Sequence, residues 1–184
     1  MKKTLWIVLA LIVVVGGYAW MSYNSFVSLN TAVDVQWAQV ESQFQRRFDL
    51  IPNLVASVQG IMKQEKDVFG AISEARTRYA GAQSVNEKAA AASQVESALG
   101  RLLVVMENYP QLTSGATVRD LMTQLEGTEN RISVERQRYN DAVGVLNVKV
   151  QRFPSNIAAS IFGFDARELF KAAAGAETAP KVAF

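Results

Sequence analysis

The N-terminal part of the chain is an uninterrupted apolar segment. Residues 5–21 contain no charged side chain, and a helix of this length spans about 26 Å, near the thickness of a hydrocarbon core. The apolar residues do not separate into two faces, so a buried helix of a soluble core is a poorer explanation. We predict a transmembrane helix over residues 5–22, whose apolar run begins at Leu5 and ends at Met21.

The residues around this span favour two membrane interfaces, because amphipathic rings and lysines prefer the headgroup zone. These interfacial anchors are Lys2, Lys3, Trp6, Tyr18, Trp20 and Tyr23. The next basic residues are Arg46 and Arg47, so the positive-inside tendency predicts a cytoplasmic N-terminus and a periplasmic or otherwise extracytoplasmic remainder. The alternative is a signal peptide cleaved at Gly17-Tyr18-Ala19. The apolar run is long for such a peptide, and Trp20 would follow the cut.

Beyond the span, apolar residues recur every three or four positions, which is typical of amphipathic helices. Pro52 stands inside the first stripe, where we expect a kink because proline removes one helical hydrogen bond. The stripe continues through Val68 to Tyr79, and the polar run 81–84 then predicts a loop. Its first members are Val33, Trp37, Val40, Phe44, Phe48, Ile51, Leu54 or Val55, Val58 and Met62.

Two further helices follow. Asn86 is the expected cap of the first, and Pro110 is expected to end it. Thr117 is the expected cap of the other, which is the longest clear helix of the pattern, and Gly127 and Gly144 are expected to pack closely against a neighbouring helix. The apolar stripe of the helix capped by Asn86 is Val95, Leu99, Leu102, Met106 and Tyr109. The stripe of the helix capped by Thr117, which we call the seam, is Val118, Leu121, Leu125, Thr128, Ile132, Glu135, Tyr139, Ala142, Leu146, Val150 and Phe153.

These patterns predict an all-α protein, because no stretch shows sustained strand alternation. We expect an N-terminal transmembrane helix followed by an elongated antiparallel three- to four-helix bundle with long, coiled-coil-like helices. The predicted organisation is a short basic flank (1–4), the transmembrane helix (5–22), the bundle (23–153), and a short helix with a C-terminal tail (154–184). The tail is expected to dock on the bundle, or else to offer its aromatics to a partner, a membrane surface or a second subunit.

The amino-acid composition excludes several kinds of catalytic and binding site. The chain has no His and no Cys, which removes disulfides, most transition-metal sites and the usual nucleophile–base pairs. Lys2 and Lys3 supply two of its 19 positive charges, so the remainder carries 17 positive and 17 negative charges and lacks the basic excess of a nucleic-acid-binding protein. No serine lies in a nucleophile-elbow motif and no phosphate-binding loop is present. We predict no catalytic, cofactor-binding or metal-binding residues and identify no small-molecule substrate. Glu135 lies in the seam, so it is the acid whose burial in the fold matters most.

Several short motifs together resemble the LemA family across nearly the whole chain. The residues that carry the resemblance are Asn24, Trp37, Arg46, Arg47, Asp49, Pro52, Asn53, Asn108, Tyr109, Pro110, Glu126, Gly127, Thr128, Glu129, Asn130, Arg131, Tyr139, Asn140, Phe153 and Pro154, with the closing run 179–182. The resemblance implies an anchored helical bundle in a bacterial-type membrane and supplies no reaction. Where members often carry histidine before Glu65-Lys66 this chain has Gln64, and residues 113–118 are smaller than the family's usual pattern.

The function expected from these observations is that of a non-enzymatic, membrane-anchored scaffold in the cytoplasmic (inner) membrane. Its expected partners are the lipid bilayer, further copies of itself and other membrane proteins. One alternative is a membrane-remodelling or lipid-surface-binding protein that uses the tail and the Arg46–Arg47 face. The other is an envelope enzyme that uses carboxylates and arginines alone.

Overall fold

A computed structural model of the chain describes residues 2–113 and 115–171. These residues form six α-helices and no strand, which confirms the all-α class. The helices are α1 (Lys2–Gln59), α2 (Lys66–Gly81), α3 (Val85–Met106), α4 (Pro110–Thr113), α5 (Ala116–Gln151) and α6 (Ser155–Phe162). The end of the predicted tail, including the run 179–182, lies outside the described residues.

The longest helix is α1, with 58 residues, and not α5, with 36. It is this long because the apolar segment continues into the first amphipathic stripe with no break, and the helix also runs through Pro52. The stripe prediction was wrong at its far end, because α1 stops at Gln59 and α2 begins at Lys66. Gly60 is a poor helix former, and the chain there turns through tight bonds such as that from the N–H of Ile61 to the carbonyl of Val58 (3.1 Å).

Three predicted helix boundaries were also wrong. Ser84, not Asn86, caps α3, because its hydroxyl accepts from the N–H of Glu87 while the Glu87 carboxylate accepts from the N–H of Ser84, a capping box. Pro110 opens α4, where a missing N–H costs nothing. Thr117 lies inside α5, whose first turn is closed by the N–H of Arg119 donating to the Gly115 carbonyl at 3.1 Å.

The seam of α5 is buried as predicted in its first half, from Val118 to Ile132, and again at Tyr139. Beyond Tyr139, Leu146 is buried as predicted, but Val143 is buried in place of Ala142, since a step of four fits the helical period as well as a step of three. Phe153 follows the end of α5 and is exposed. The expected close packing at Gly127 and Gly144 was wrong, because a Cβ built on either meets nothing within 4 Å.

The described chain divides into two compact units. Unit 1 comprises residues 2–38 and 138–168, and unit 2 comprises residues 39–113, 115–137 and 169–171. In unit 1, the ring of Phe164 stacks on that of Phe26 with centroids 5.0 Å apart, and Trp37 packs on Tyr139 at 5.2 Å. In unit 2, α2 and α3 pack side by side, and apolar residues of α1 and α5 complete the core. Fully buried large side chains of unit 2 include Phe44, Ile51, Leu54, Met62, Leu102, Met106 and Ile132.

Candidate functional site

The apolar segment of α1 is exposed from Leu5 to Tyr18. Every large apolar side chain from Leu5 to Val15 is in contact with the surroundings rather than with another part of unit 1. By length and composition α1 is the one described helix apolar enough to cross a membrane, and none of its most apolar window is buried. A signal sequence near the N-terminus meets the same criterion.

The strongest concentration of charge lies in unit 2, where three helices bring four ionisable side chains together. Arg47 of α1 is hydrogen-bonded and ion-paired to Glu129 of α5. The same Arg47 Nη1 lies 3.9 Å from Glu96 Oε1 on α3, and Arg136 Nη1 of α5 lies 3.9 Å from that oxygen as well. We call Arg47, Glu96, Glu129 and Arg136 the charged cluster.

The two ends of the main ion pair differ in exposure. The side chain of Arg47 is 9% exposed, whereas that of Glu129 is 42% exposed. Arg47 therefore points into the unit, and its Nε is buried without a hydrogen-bond partner. Its neighbour Arg46 is exposed, so the two arginines do not form a shared basic face.

Glu96 is the acid whose ionisation is most affected by its surroundings. Burial raises its pKa above the usual range, and the nearby Glu129 carboxylate raises it further, while Arg47 and Arg136 act in the opposite direction. Its Oε1 is buried and accepts no hydrogen bond. An acid in such a position can hold a proton closer to neutral pH than an exposed glutamate can.

A small apolar cavity of about 190 Å³ adjoins the charged cluster. Arg47, Glu126 and Glu129 stand at its polar edge, and its remaining lining is aliphatic. Glu96 is not among the lining residues, so the acid with the raised pKa does not open into this cavity. The arrangement offers two arginines and two carboxylates that neutralise one another, and it holds three helices together.

Aromatic rings pack beside the charged cluster in unit 2. Arg136 lies over the ring of Phe170, with Cζ 4.3 Å from the centroid, and that ring stacks near Phe44 at 6.2 Å. Tyr79 packs edge-on against Phe48 at 4.6 Å, and its hydroxyl is buried without a hydrogen-bond partner. Burial, and secondly the charge of Glu41, raises the pKa of Tyr79 well above its usual range. This phenol therefore stays neutral.

In unit 1 the segment after α6 is fastened to α1 and α5 by polar bonds. The Arg167 guanidinium donates to Asn30 Oδ1 (3.1 and 3.0 Å) and to Asp34 Oδ1 (2.9 Å). Asn147 accepts from the N–H of Arg167 at 2.8 Å and donates to its carbonyl at 2.9 Å. The Tyr139 hydroxyl donates to the carbonyl of Glu168 at 2.9 Å, and burial raises the pKa of Tyr139. These bonds fasten residues 167 and 168 to α1 and α5.

The structure brings only some of the motif residues together. Arg47 meets Glu129, and Trp37 meets Tyr139; Thr128 is buried, and its hydroxyl donates to the carbonyl of Leu125 at 2.7 Å. Tyr109 donates to the Glu65 carboxylate at 3.4 Å. Asn140 is half-buried. The motif residues on the surface are Asn24, Arg46, Asp49, Pro52, Asn53, Asn108, Pro110, Glu126, Gly127, Asn130, Arg131, Phe153 and Pro154.

The sequence reasoning missed Glu96, Arg136 and Arg167. The signal for Glu96 was present, because it stands four residues after Ala92 and three before Leu99, on the buried side of α3. Glu135, which was singled out instead, is half-exposed. Among the described residues, no group of three potential metal-ligating side chains lies together.

The comparisons with known proteins agree with the motif pattern. The LemA family profile matches residues 36–184. Magnetosome proteins MamQ 1 and MamQ 2 of Paramagnetospirillum magneticum are each 29% identical to the chain over 177 residues, covering 82% of this chain and 65% of each relative. Magnetosome protein MamQ of Magnetospirillum gryphiswaldense is 27% identical over 176 residues, with the same coverage. The chain thus spans about 65% of the length of these relatives.

The family match and the exposed apolar helix support a LemA-type membrane-associated protein. The matched range 36–184 includes all described residues of unit 2 and residues 36–38 and 138–168 of unit 1. This chain belongs to the LemA family.

Proposed function

We propose that the chain is a single-pass protein of the cytoplasmic membrane, which displays its helices outside the cytoplasm and acts by binding proteins rather than by catalysis. The exposed apolar segment of α1 carries this proposal. A run of large apolar side chains with nothing packed on it is unfavourable in water and favourable in hydrocarbon. The charge of Lys2 and Lys3 supports a cytoplasmic N-terminus.

The helix contacts favour an antiparallel bundle as the framework for this role. Within unit 1, Ser25 of α1 is bonded to Lys149 of α5, while Trp37 of α1 meets Tyr139. Residue numbers therefore rise along α1 as they fall along α5. Within unit 2, Arg47 of α1 is bonded to Glu129 of α5. Such helices can associate with further helices through their exposed faces, as in coiled coils.

The absence of cysteine makes the anchor and its orientation easy to test. Val104 is exposed and Met106 is fully buried on the same helix, so Val104→Cys and Met106→Cys form a matched pair. With the outer membrane made permeable, a membrane-impermeant thiol reagent should label Val104→Cys in intact cells and should label Met106→Cys only after denaturation. Labelling of Val104→Cys only after lysis would reverse the orientation, and release of the chain by alkaline carbonate would remove the anchor.

The interaction role needs its own measurement. We expect the full chain, extracted in mild detergent, to have a mass above that of one copy by light scattering, or to co-purify with defined membrane proteins. Crosslinking in intact cells followed by mass spectrometry identifies those partners. A monodisperse single copy with no crosslinked partner would count decisively against the proposal.

A carboxylate-based enzyme is the second candidate, and the raised pKa of Glu96 is the observation that favours it. Such an enzyme needs Glu96 to reach a substrate, and the neighbouring cavity is lined by Arg47, Glu126 and Glu129 instead. Turnover of an envelope polymer that is lost in Glu96→Gln and retained in Glu126→Gln would establish it. The membrane-remodelling alternative loses part of its basis, because Arg47 is committed to internal ion pairs.

A further inference from the structure

The helix α6 exposes a line of large apolar side chains. Ile157 and Ile161 lie four residues apart on α6 and are 53% and 72% exposed, and Phe153, in the turn just before α6, is 75% exposed. Ala158 and Ala159 form the opposite face, which is buried in unit 1. This eight-residue helix buries two alanines and exposes its bulkiest residues. In water, burial of the larger apolar side chains would be more favourable.

The position of α6 explains this arrangement. Its last residue, Phe162, packs edge-on against Tyr23 with ring centroids 5.2 Å apart. Phe162 and Tyr23 line a shallow groove of about 340 Å³ together with Gly16, Trp20 and Asn24. These residues form the last turns of the apolar segment of α1. The exposed apolar face of α6 is therefore continuous with the exposed apolar surface of the span.

The nearest charged residues that precede α6 along the chain are basic, and the first acid after it is Asp165. No acidic residue precedes Asp34 in α1, and none lies between Asp141 and Asp165. The charged residues of the latter interval are Lys149 and Arg152, in the last turn of α5 and just after it. Lys149 is bonded to Ser25 and lies 5.4 Å from the centroid of the Phe26 ring, while Arg152 is exposed. Arg152 is thus an exposed cation just before α6.

We propose that α6 is an interfacial helix, which inserts Ile157 and Ile161, together with Phe153 of the preceding turn, into the same bilayer that holds the span, with anionic lipid headgroups as partners of Arg152. An amphipathic helix with its apolar side in the acyl boundary and basic residues at its edge is a stable arrangement at a membrane surface. This inference rests on the proposed anchoring of α1. It adds that the bilayer is contacted at a second place, far along the chain from the span.

The full chain, reconstituted in vesicles of phosphatidylethanolamine and phosphatidylglycerol, allows a direct test. Single cysteines at Ile161, Leu9 and Val35 each receive an environment-sensitive fluorophore. Leu9 lies in the span, and Val35 is an exposed residue of α1 in unit 1, about 21 Å beyond Met21 along the helix. Ile161 is exposed in the protein itself, so its replacement leaves the core of unit 1 intact.

We expect the label at Ile161 to show a blue-shifted emission that lipid-borne spin labels quench and aqueous iodide does not, as at Leu9, whereas the label at Val35 should behave in the opposite way. If Leu9 is quenched from the lipid and Ile161 is quenched from water, the inference is overturned while the anchor stands. If Ile161 is shielded from both quenchers, a protein covers α6, and the inference is again overturned. If Leu9 is quenched from water, the proposed anchoring itself fails.

Discussion

The side chain of Arg47 links three helices through its charge. It belongs to α1, pairs with Glu129 of α5 and lies 3.9 Å from Glu96 of α3. A buried guanidinium is stable only when its charge and its donors are matched, because desolvation of an ion is costly. The cluster therefore fixes which faces of α1, α3 and α5 meet in unit 2.

Replacing Arg47 by Met should lower the free energy of unfolding by about 2–3 kcal/mol, because Glu96 and Glu129 lose their common partner. The value lies below that expected for a fully buried pair because Glu129 is 42% exposed and water replaces part of the interaction. Chemical unfolding of the full chain in detergent measures it. The double variant Arg47→Met/Glu129→Gln should recover part of the loss, and Arg46→Met is the matched control, expected to be close to neutral.

The raised pKa of Glu96 makes stability depend on pH with a definite sign. Because burial raises the pKa in the folded state, the folded chain binds a proton more tightly than the unfolded chain. The resulting stabilisation is fully present below the ordinary pKa, near 4.5, and is lost as pH rises through the folded pKa. Relative to Glu96→Gln, the native chain should thus lose stability on going from acid towards neutral pH. A relative gain would show that Arg47 and Arg136 dominate.

At the scale of elements, the two glycines of α5 are the least expected feature. Gly127 and Gly144 lie in the helix interior, and a Cβ at either position meets nothing within 4 Å of the described chain. Glycine in a helix interior is less favourable than alanine by roughly 0.5–1 kcal/mol. The structure of one copy therefore gives no packing reason for either residue.

Gly127→Ala and Gly144→Ala should each raise the free energy of unfolding by roughly 0.5–1 kcal/mol, since alanine restricts the unfolded chain and fits the helix. Thermal unfolding of the single variants and the double variant measures the gain. The same variants report on association. A variant that is more stable yet no longer crosslinks in cells would show that a partner approaches α5 at that glycine.

The helix boundaries also show which features of the fold the sequence pattern can predict. The three-to-four period identified the helical class and most of the buried stripe, from Val33 through Met62 and from Val118 through Ile132, because burial on one face is a local property of a helix. The break after Gln59 was missed, since apolar residues keep the period across it. Ser84 was recoverable, because Glu87 stands three residues on and completes a capping box.

Only part of the charged cluster could be predicted from the sequence. Arg47 and Glu129 belong to motifs that the sequence displays, but their pairing joins residues 82 positions apart. The position of Glu96 on the buried side of α3 was predictable, but its pairing with Arg47 depends on how the helices rotate against each other, and no local pattern encodes that rotation. The same reasoning applies to Arg167, whose partners Asn30 and Asp34 lie in a helix that precedes it by more than a hundred positions.

At the scale of the molecule, the proposed membrane attachment depends on a span close to the minimum length. Ile12→Lys places a charge near the centre of the segment, where transfer to hydrocarbon costs about 3 kcal/mol. We expect a large fraction of this variant to leave the membrane pellet on alkaline carbonate extraction. Val35→Lys, on the same helix but beyond the span, should remain in the pellet. Equal retention of both variants would contradict the assignment of residues 5–22 as the anchor.

Because α1 is one continuous helix, it restricts how two copies of the chain in one membrane would approach each other. Residues of the apolar segment and packed residues of unit 1, such as Phe26 and Val33, belong to one helix with no linker between them. Unit 1 therefore cannot swivel on the proposed anchor as a domain on a flexible linker would. Orientational freedom is already restricted before any encounter, so less entropy remains to be lost when two copies in one membrane bind side by side.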